Sequence, residues 1–360
     1  MRNSIKYAQK LCDTIIKKYE AKDLPPKGIF HYHQGVFLSG MYNTYEICKD
    51  EKYLKYIKDW VDSIIDENGN INTFRENMLD DIQPGILLIK LYRLTGEEKY
   101  VKALRTLMDV LEKWPENPDG GRWHKLFYKD QMWLDGIYMA APLEVQYSEL
   151  FGDTHFAQRA VNQALLMWEK IGNKTTGLLY HAWDYSKEAE WADEITGLSD
   201  EVWGRALGWY VVSVLDILES IPENHPDRKK LEEIEKTVLE AIIKCQDEKS
   251  GMWYQVVDKG ENEDNWVESS CSALFAYSIA KAIRMNILDK EYMPAAVRGF
   301  EGIINNSVTV CNDELLLGDV CIGTNVCSYK DYIERPVSVN DLHGSGAFLL
   351  MCAELGRVGI

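Results

Sequence analysis

Gln131-Met132-Trp133-Leu134-Asp135-Gly136-Ile137-Tyr138-Met139-Ala140-Ala141 is the stretch on which the fold turns. From Gly136 onward it is apolar on nearly every side of a helical wheel, and such a helix has to be buried inside a larger protein. Immediately before it a carboxylate, Asp135, stands between the rings of Trp133 and Tyr138. The same order, a polar and aromatic cluster leading into an apolar helical run, recurs at His31-Tyr32-His33-Gln34-Gly35 and at Leu79-Asp80-Asp81-Ile82-Gln83-Pro84-Gly85. It recurs again at Trp203-Gly204-Arg205-Ala206-Leu207-Gly208-Trp209, before Ser272-Ala273-Leu274-Phe275-Ala276-Tyr277, and at Asp341-Leu342-His343-Gly344-Ser345-Gly346.

These apolar helices begin near Gly35, Gly85, Gly136, Gly204, Ser270 and Gly344, in steps of 50, 51, 68, 66 and 74 residues. Each is preceded by an amphipathic helix. Ile5 to Tyr19 is the first; the other five end in a turn and a short aromatic segment, the whole running over Tyr53 to Ile71, Tyr100 to His124, Phe156 to His181, Leu231 to Gln255 and Ala296 to Leu317. The turns include Glu67-Asn68-Gly69-Asn70 and Asp119-Gly120-Gly121. A faint repeat of this length signals a closed or stacked helical array. Six outer-plus-inner pairs predict an all-α (α/α)6 barrel, with small residues crowding the starts of the inner helices. An open α-solenoid is the alternative, but it has no need of polar clusters at every inner start. Strands should be short and local, as at Gly251-Met252-Trp253-Tyr254-Gln255-Val256-Val257.

No Pro/Gly/Ser-rich or charged linker divides the 360 residues, so residues 1–360 are read as one domain with a large core. A net charge of −17 disfavours nucleic acid or an anionic membrane surface as partner, since both would be repelled by the whole molecule. The eight cysteines are scattered without metal-ligand or disulfide spacing, which suits reduced thiols in a cytoplasmic protein. Met1 to Tyr19 alternates apolar and charged residues and lacks the apolar core of a signal peptide. The expectation is an unexported, non-membrane protein, monomeric or weakly self-associating.

In a helical barrel the loops feeding the inner helices ring one end of the axis, where helix N-termini turn their N–H groups toward a ligand. Such a site favours an anion despite the acidic bulk. Five of the seven histidines lie in these loops: His31, His33, His124, His181 and His343. Arg205 and Lys125 are the other candidate cations. Asp135 reads equally as a helix N-cap or as a general acid. The second reading requires a carboxyl pKa raised by burial or by a neighbouring carboxylate, for which Asp80 and Asp81 are the candidates. One of those two could instead cap the helix that Pro84 opens. His124 and His181 alone fit packed core histidines as well as functional ones, and Trp203, Trp209 and Trp266 are singly more typical of a core. Arg205 between two indoles is costly to bury without a partner. No His-Glu-x-x-His set, phosphate loop, nucleophile elbow or dinucleotide fingerprint is present, so neither metal nor cofactor is expected.

Taken together, His31 to Phe37, Leu79 to Gln83, Trp123-His124-Lys125, Gln131 to Met139, Tyr180 to Asp184, Trp203 to Trp209, Asn265 to Ser270 and Asn340 to Phe348 resemble the unsaturated rhamnogalacturonyl hydrolases. These form glycoside hydrolase family 105, related to the unsaturated glucuronyl hydrolases of family 88. The resemblance runs from one end of the chain to the other. It implies an (α/α)6 barrel without metal, Asp135 as the catalytic acid/base, Asp80 as the second active-site carboxylate, and Tyr32, His124, Lys125, His181, Trp203, Arg205 and Trp209 lining the pocket. It implies as substrate a small anionic oligosaccharide, left by a polysaccharide lyase and ending in an unsaturated uronic acid. Arg122 and the Leu126 to Asp130 loop depart from the family pattern beside His124, which leaves the neighbouring sugar open.

Three other readings compete. An inverting glycosidase on saturated sugars would use Asp80 and Asp135 as base and acid. An epimerase on the same barrel would move protons with histidines, and a non-catalytic sugar-binding protein would use Asp135 only as a cap.

Overall fold

The computed structural model describes residues 3–360. Six helix pairs form the (α/α)6 barrel. The outer helices are α1 (Ser4–Lys18), α3 (Glu51–Ile64), α5 (Glu98–Glu112), α7 (Thr154–Ile171), α9 (Arg228–Lys244) and α11 (Met293–Asn306). The inner ones are α2 (Tyr32–Cys48), α4 (Gly85–Thr95), α6 (Gly136–Phe151), α8 (Gly204–Ser220), α10 (Ser269–Arg284) and α13 (Leu342–Arg357), with the one-turn α12 (Tyr329–Ile333) before the last. All six expected inner starts lie within three residues of the observed ones.

The division of labour follows from residue pattern. Outer helices bury one stripe, such as Tyr53, Tyr56, Ile57, Trp60, Val61 and Ile64 on α3. Inner helices are buried nearly all round: every residue of α10 from Ser269 to Ile283 is buried. Burial of that extent over six helices, at roughly 25 cal/mol per Å² of apolar surface, is the main stabilising contribution. The ring closes where α13 meets α2 and α1. Closure requires glycine, because a Cβ on Gly346 would sit 2.6 Å from the Val36 carbonyl carbon and one on Gly40 would sit 2.8 Å from the Gly346 carbonyl oxygen.

Three two-stranded antiparallel ladders decorate the barrel. β1 (Gln131–Trp133) pairs with β2 (Ala182–Asp184), β3 (Val308–Cys311) with β4 (Glu314–Leu317), and β5 (Val320–Cys321) with β6 (Val337–Ser338). The expected strand at Gly251 to Val257 is not one. That segment makes only isolated bridges, Trp203 to Val256 and Tyr254 to Val267, because it is held by side chains and single backbone bonds rather than by a continuous partner. The turns expected after the outer helices are present: Glu67-Asn68-Gly69-Asn70 lies inside the bridge from Ile65 to Ile71, and Asp119-Gly120-Gly121 inside that from Glu116 to Arg122. Among the described residues no helix is long and apolar enough to cross a membrane.

Candidate active site

The inner helices present their N-termini at one end of the barrel, and the β1–β2 ladder carries the site between them. Register sets Trp133 opposite Ala182, so the residues just beyond, Asp135 and His181, come together. The Leu134 N–H donates to the His181 carbonyl at 2.8 Å and locks that approach.

Asp135 occupies the N-cap position of α6, yet its side chain makes no capping hydrogen bond. Asp50 and Asp153 show what an ordinary cap does, accepting from the Lys52 and His155 N–H groups at 3.2 and 2.9 Å. The cap reading of Asp135 is thereby overturned. Its Oδ1 is buried without a hydrogen-bond partner and stands 3.5 Å from His181 Nε2, itself unpartnered. Four buried polar atoms in this small volume lack partners: Asp135 Oδ1, His181 Nε2, His124 Nδ1 and Trp203 Nε1. Buried polar groups are normally satisfied, so such a concentration marks groups waiting for a ligand.

His124 approaches from the other side. Its ring lies close against the start of α6, where a Cβ on Gly136 would be 3.1 Å from Nδ1. Its Nε2 points toward Asp80 Oδ1 at 3.9 Å, and Lys125 Nζ lies 3.4 Å from Asp80 Oδ2. Asp80 and Asp135 thus flank His124. Asp81, the alternative second carboxylate, is removed from the site: Arg75 grips it in a fork at 2.7 and 2.8 Å and His31 Nδ1 meets it at 2.8 Å. Nor does it cap α4, whose N-cap is Pro84 without a side-chain bond.

Aromatic rings tie these groups together. Trp133 stacks on His124 (centroids 4.6 Å apart) and on Tyr128 (4.8 Å), and His181 packs on Trp203 at 4.6 Å. Tyr32 is packed against His33 and His343, and burial pushes its hydroxyl pKa far above the usual tyrosine range. Arg205 lies over the Trp203 ring, but its guanidinium donates to the carbonyls of Cys321 and Ile322 at 2.6 and 2.8 Å. Buried as it is, Arg205 has found the partner its position demanded.

Trp209, expected to line the pocket, lies on α8, as buried as Trp203 and His181, and stacks on Tyr138 at 4.2 Å. His33, Asp341 and His343 form the one group of three potential ligand atoms within 4.8 Å of one another among the described residues. His343 Nε2 there donates to the Cys321 carbonyl at 3.0 Å and Nδ1 faces Asp341 at 2.8 Å.

The electrostatics correct one expectation. Burial pushes the Asp135 carboxyl up, but His124 and His181 beside it outweigh burial and hold it well below the usual carboxylate range. Burial in turn drives His124 below the usual histidine range, so His124 is neutral near neutral pH and its pull as a cation belongs to acid conditions. The resting site therefore presents Asp135 as a carboxylate, not as the protonated acid that its aromatic surroundings suggested.

Tyr332 on α12, whose hydroxyl lies 2.5 Å from His181 Nδ1, was not foreseen from sequence. The one available signal was length: the step from Ser270 to Gly344 is the longest of the five and leaves chain to spare for an extra element.

Comparison with known proteins identifies the fold and the family. The model of Glycosyl Hydrolase Family 88 matches residues 7–358. A family 105 glycoside hydrolase from C. acetobutylicum ATCC 824 superposes with a TM-score of 0.93 at 34% identity, covering 98% of this chain and 99% of that one. The unsaturated rhamnogalacturonyl hydrolase YesR of Bacillus subtilis (strain 168) is 25% identical over 251 residues, 68% of either chain. The unsaturated glucuronyl hydrolase of Bacillus sp. GL1 shares the fold with a TM-score of 0.74 at 18% identity, covering 99% and 97%. Matched from end to end by that family model and by its family 105 neighbour, the chain belongs to the unsaturated uronyl hydrolases of glycosyl hydrolase families 88 and 105.

Proposed function

We propose that this chain hydrates the C4=C5 double bond of a terminal unsaturated uronic acid on short lyase-generated oligosaccharides, and that its substrate is unsaturated galacturonyl-rhamnose. The observation that carries the reading is the Asp135 carboxylate, uncapped and unpartnered between His124 and His181 with Asp80 beyond. The name of the Bacillus subtilis relative supports rhamnose as the sugar released.

The double bond is an enol ether conjugated to the C6 carboxylate. Asp135, having taken up a proton, delivers it to C4, and positive charge develops at C5 and the ring oxygen. Water adds to C5 and gives its proton to the Asp135 carboxylate, which restores the acid. The resulting hemiketal at C5 opens and releases the attached sugar. Asp80 orients the water, and Lys125 and Arg205 supply positive charge near the uronate. The glycosidic bond is never attacked directly, so the nucleophile and base of an ordinary glycosidase are not required.

The test mixes the protein with unsaturated disaccharides from several polysaccharides and follows the ultraviolet absorbance of the conjugated bond. Absorbance should fall fastest with galacturonyl-rhamnose, and in heavy water one deuterium should enter C4 of the product. Cleavage of saturated oligosaccharides with the absorbance of the unsaturated ones untouched would establish an inverting glycosidase instead. Asp135→Asn preserves shape and should lower turnover by roughly 10²-fold or more; binding without turnover in the parent would point to a sugar-binding protein.

A further inference from the structure

The histidine beside Asp135 is held by a residue from the far end of the chain. Tyr332 is fully buried, and its hydroxyl has two neighbours, the Cys327 N–H at 3.2 Å and His181 Nδ1 at 2.5 Å. An N–H can only donate, so the tyrosine oxygen accepts from Cys327. The hydroxyl proton then has one acceptor in reach, His181 Nδ1. The reverse arrangement, with Nδ1–H donating to the tyrosine oxygen, would strand a buried hydroxyl proton at a cost of about 1–3 kcal/mol. A neutral imidazole accepting at Nδ1 carries its proton at Nε2. That is the nitrogen facing Asp135 Oδ1 across 3.5 Å, where both atoms lack any other partner.

Tyr332 is itself fixed. Gln255 donates to its carbonyl at 3.1 Å, Trp266 Nε1 donates to the next carbonyl, that of Ile333, at 3.0 Å, and the ring stacks on Trp203 at 5.9 Å. The other charged or titratable groups around His181 do not compete for Nδ1. His124 lies across Trp133, and Glu201 offers the His181 N–H its carbonyl while its carboxylate pairs with Lys259 at 2.6 Å. The Cys327 thiol is pushed up to about 11 by its surroundings, burial foremost.

We propose that Tyr332 is a positioning residue that locks His181 as the neutral Nε2–H tautomer, so that His181 donates to Asp135 Oδ1 and the acid proton rides on Oδ2. The tautomer follows from geometry alone; the placement of the acid proton rests on the reading of Asp135 as the proton donor.

The test uses the intact protein with ¹⁵N-labelled histidine. In the parent, neutral His181 should show protonated Nε2 and unprotonated Nδ1. Tyr332→Phe keeps the ring on Trp203 and removes only the hydroxyl. There the Nδ1–H tautomer should become populated, and kcat/KM should drop by roughly tenfold. A neutral His181 carrying Nδ1–H in the parent overturns the proposal, as does a Tyr332→Phe variant with the parent's tautomer. The parent spectrum decides the tautomer even if the variant folds poorly. Should the parent turn over no unsaturated sugar while His181 shows the expected tautomer, the proposed function fails and the positioning role of Tyr332 stands.

Discussion

Asp80 and Asp81 are adjacent on one 3-10 turn, yet Asp80 stands between His124 and Lys125 while Asp81 is clamped by Arg75 and His31. Two adjacent carboxylates thus divide into one facing the candidate site and one bound into the scaffold. Asp80→Asn should lower turnover by roughly 10²-fold with little change in unfolding midpoint. Asp81→Asn weakens charge-assisted hydrogen bonds at a buried carboxylate, and should cost on the order of 2 kcal/mol of stability while leaving most of the turnover of the folded fraction. Paired kinetic and urea-unfolding measurements on both variants check this, and the opposite assignment of the two losses would refute it.

How far sequence alone reached follows from which kind of information each feature needs. The starts of α6 and α13 were legible because burial all round and glycine at close approaches are properties of single residues in a row. The ends of outer helices were legible where turn residues mark them: Glu67-Asn68-Gly69-Asn70 lies inside the bridged turn from Ile65 to Ile71 that follows α3. The clustering of His124, His181, Asp80 and Asp135 was legible from topology, since the loops before inner helices share one end of a barrel. What pairwise distance decides was not. Spacing left Asp80 and Asp81 interchangeable until the family resemblance chose Asp80, and it gave no hint that Tyr332 meets His181, 151 positions earlier in the chain. The direction of the Asp135 shift was misjudged for the same reason, because the aromatic neighbours could be read from the chain and the proximity of two imidazoles could not.

That shift has a consequence for pH dependence. Asp135 is depressed in the empty site and must acquire a proton before it can act. An arriving uronate adds negative charge and displaces water, and both raise a carboxyl pKa. In the free enzyme the protonated fraction above that pKa falls about tenfold per pH unit, so kcat/KM should decline toward alkaline pH, by up to that factor per unit. Binding of substrate to the slow Asp80→Asn variant should take up about one proton per sugar, read as a buffer-dependent heat in calorimetry. A kcat/KM that stays level from mild acid to mild alkali, with no proton uptake, would show that Asp135 is not the group being loaded.

Glu235 on α9 titrates in the opposite sense. It is fully buried, neither carboxyl oxygen has a partner, and burial pushes its pKa well above the usual range against a weaker pull from Lys281. A group whose folded pKa exceeds its unfolded value contributes stability below the unfolded pKa and loses that contribution as pH rises through the folded one, about 1.4 kcal/mol per unit of separation. Glu235→Gln keeps the shape without the titration. The variant and parent should melt alike near the unfolded carboxylate pKa and diverge on alkalinisation, with the variant the more stable. Parallel melting curves across that span would mean that Glu235 is not held protonated by the fold.

Arg122, read from sequence as a departure from the family pattern, has a partner in the structure. Its guanidinium forks onto Glu144 of α6 at 2.8 and 2.6 Å, both side chains being nearly or fully buried. The pair joins the segment that carries His124, two residues on, to the inner helix that begins at Gly136. Removing one partner leaves a buried charge alone, so Arg122→Ala should cost roughly 3–5 kcal/mol. Replacing both by apolar residues of similar volume, Arg122→Met with Glu144→Leu, removes the charge and the need for its partner together, and should recover most of that loss. Denaturant midpoints of the parent, the single variant and the double variant test the argument. A single variant within about 1 kcal/mol of the parent would place the pair among ion pairs of surface strength, and the Arg122 departure would then have no structural role in holding His124 to α6.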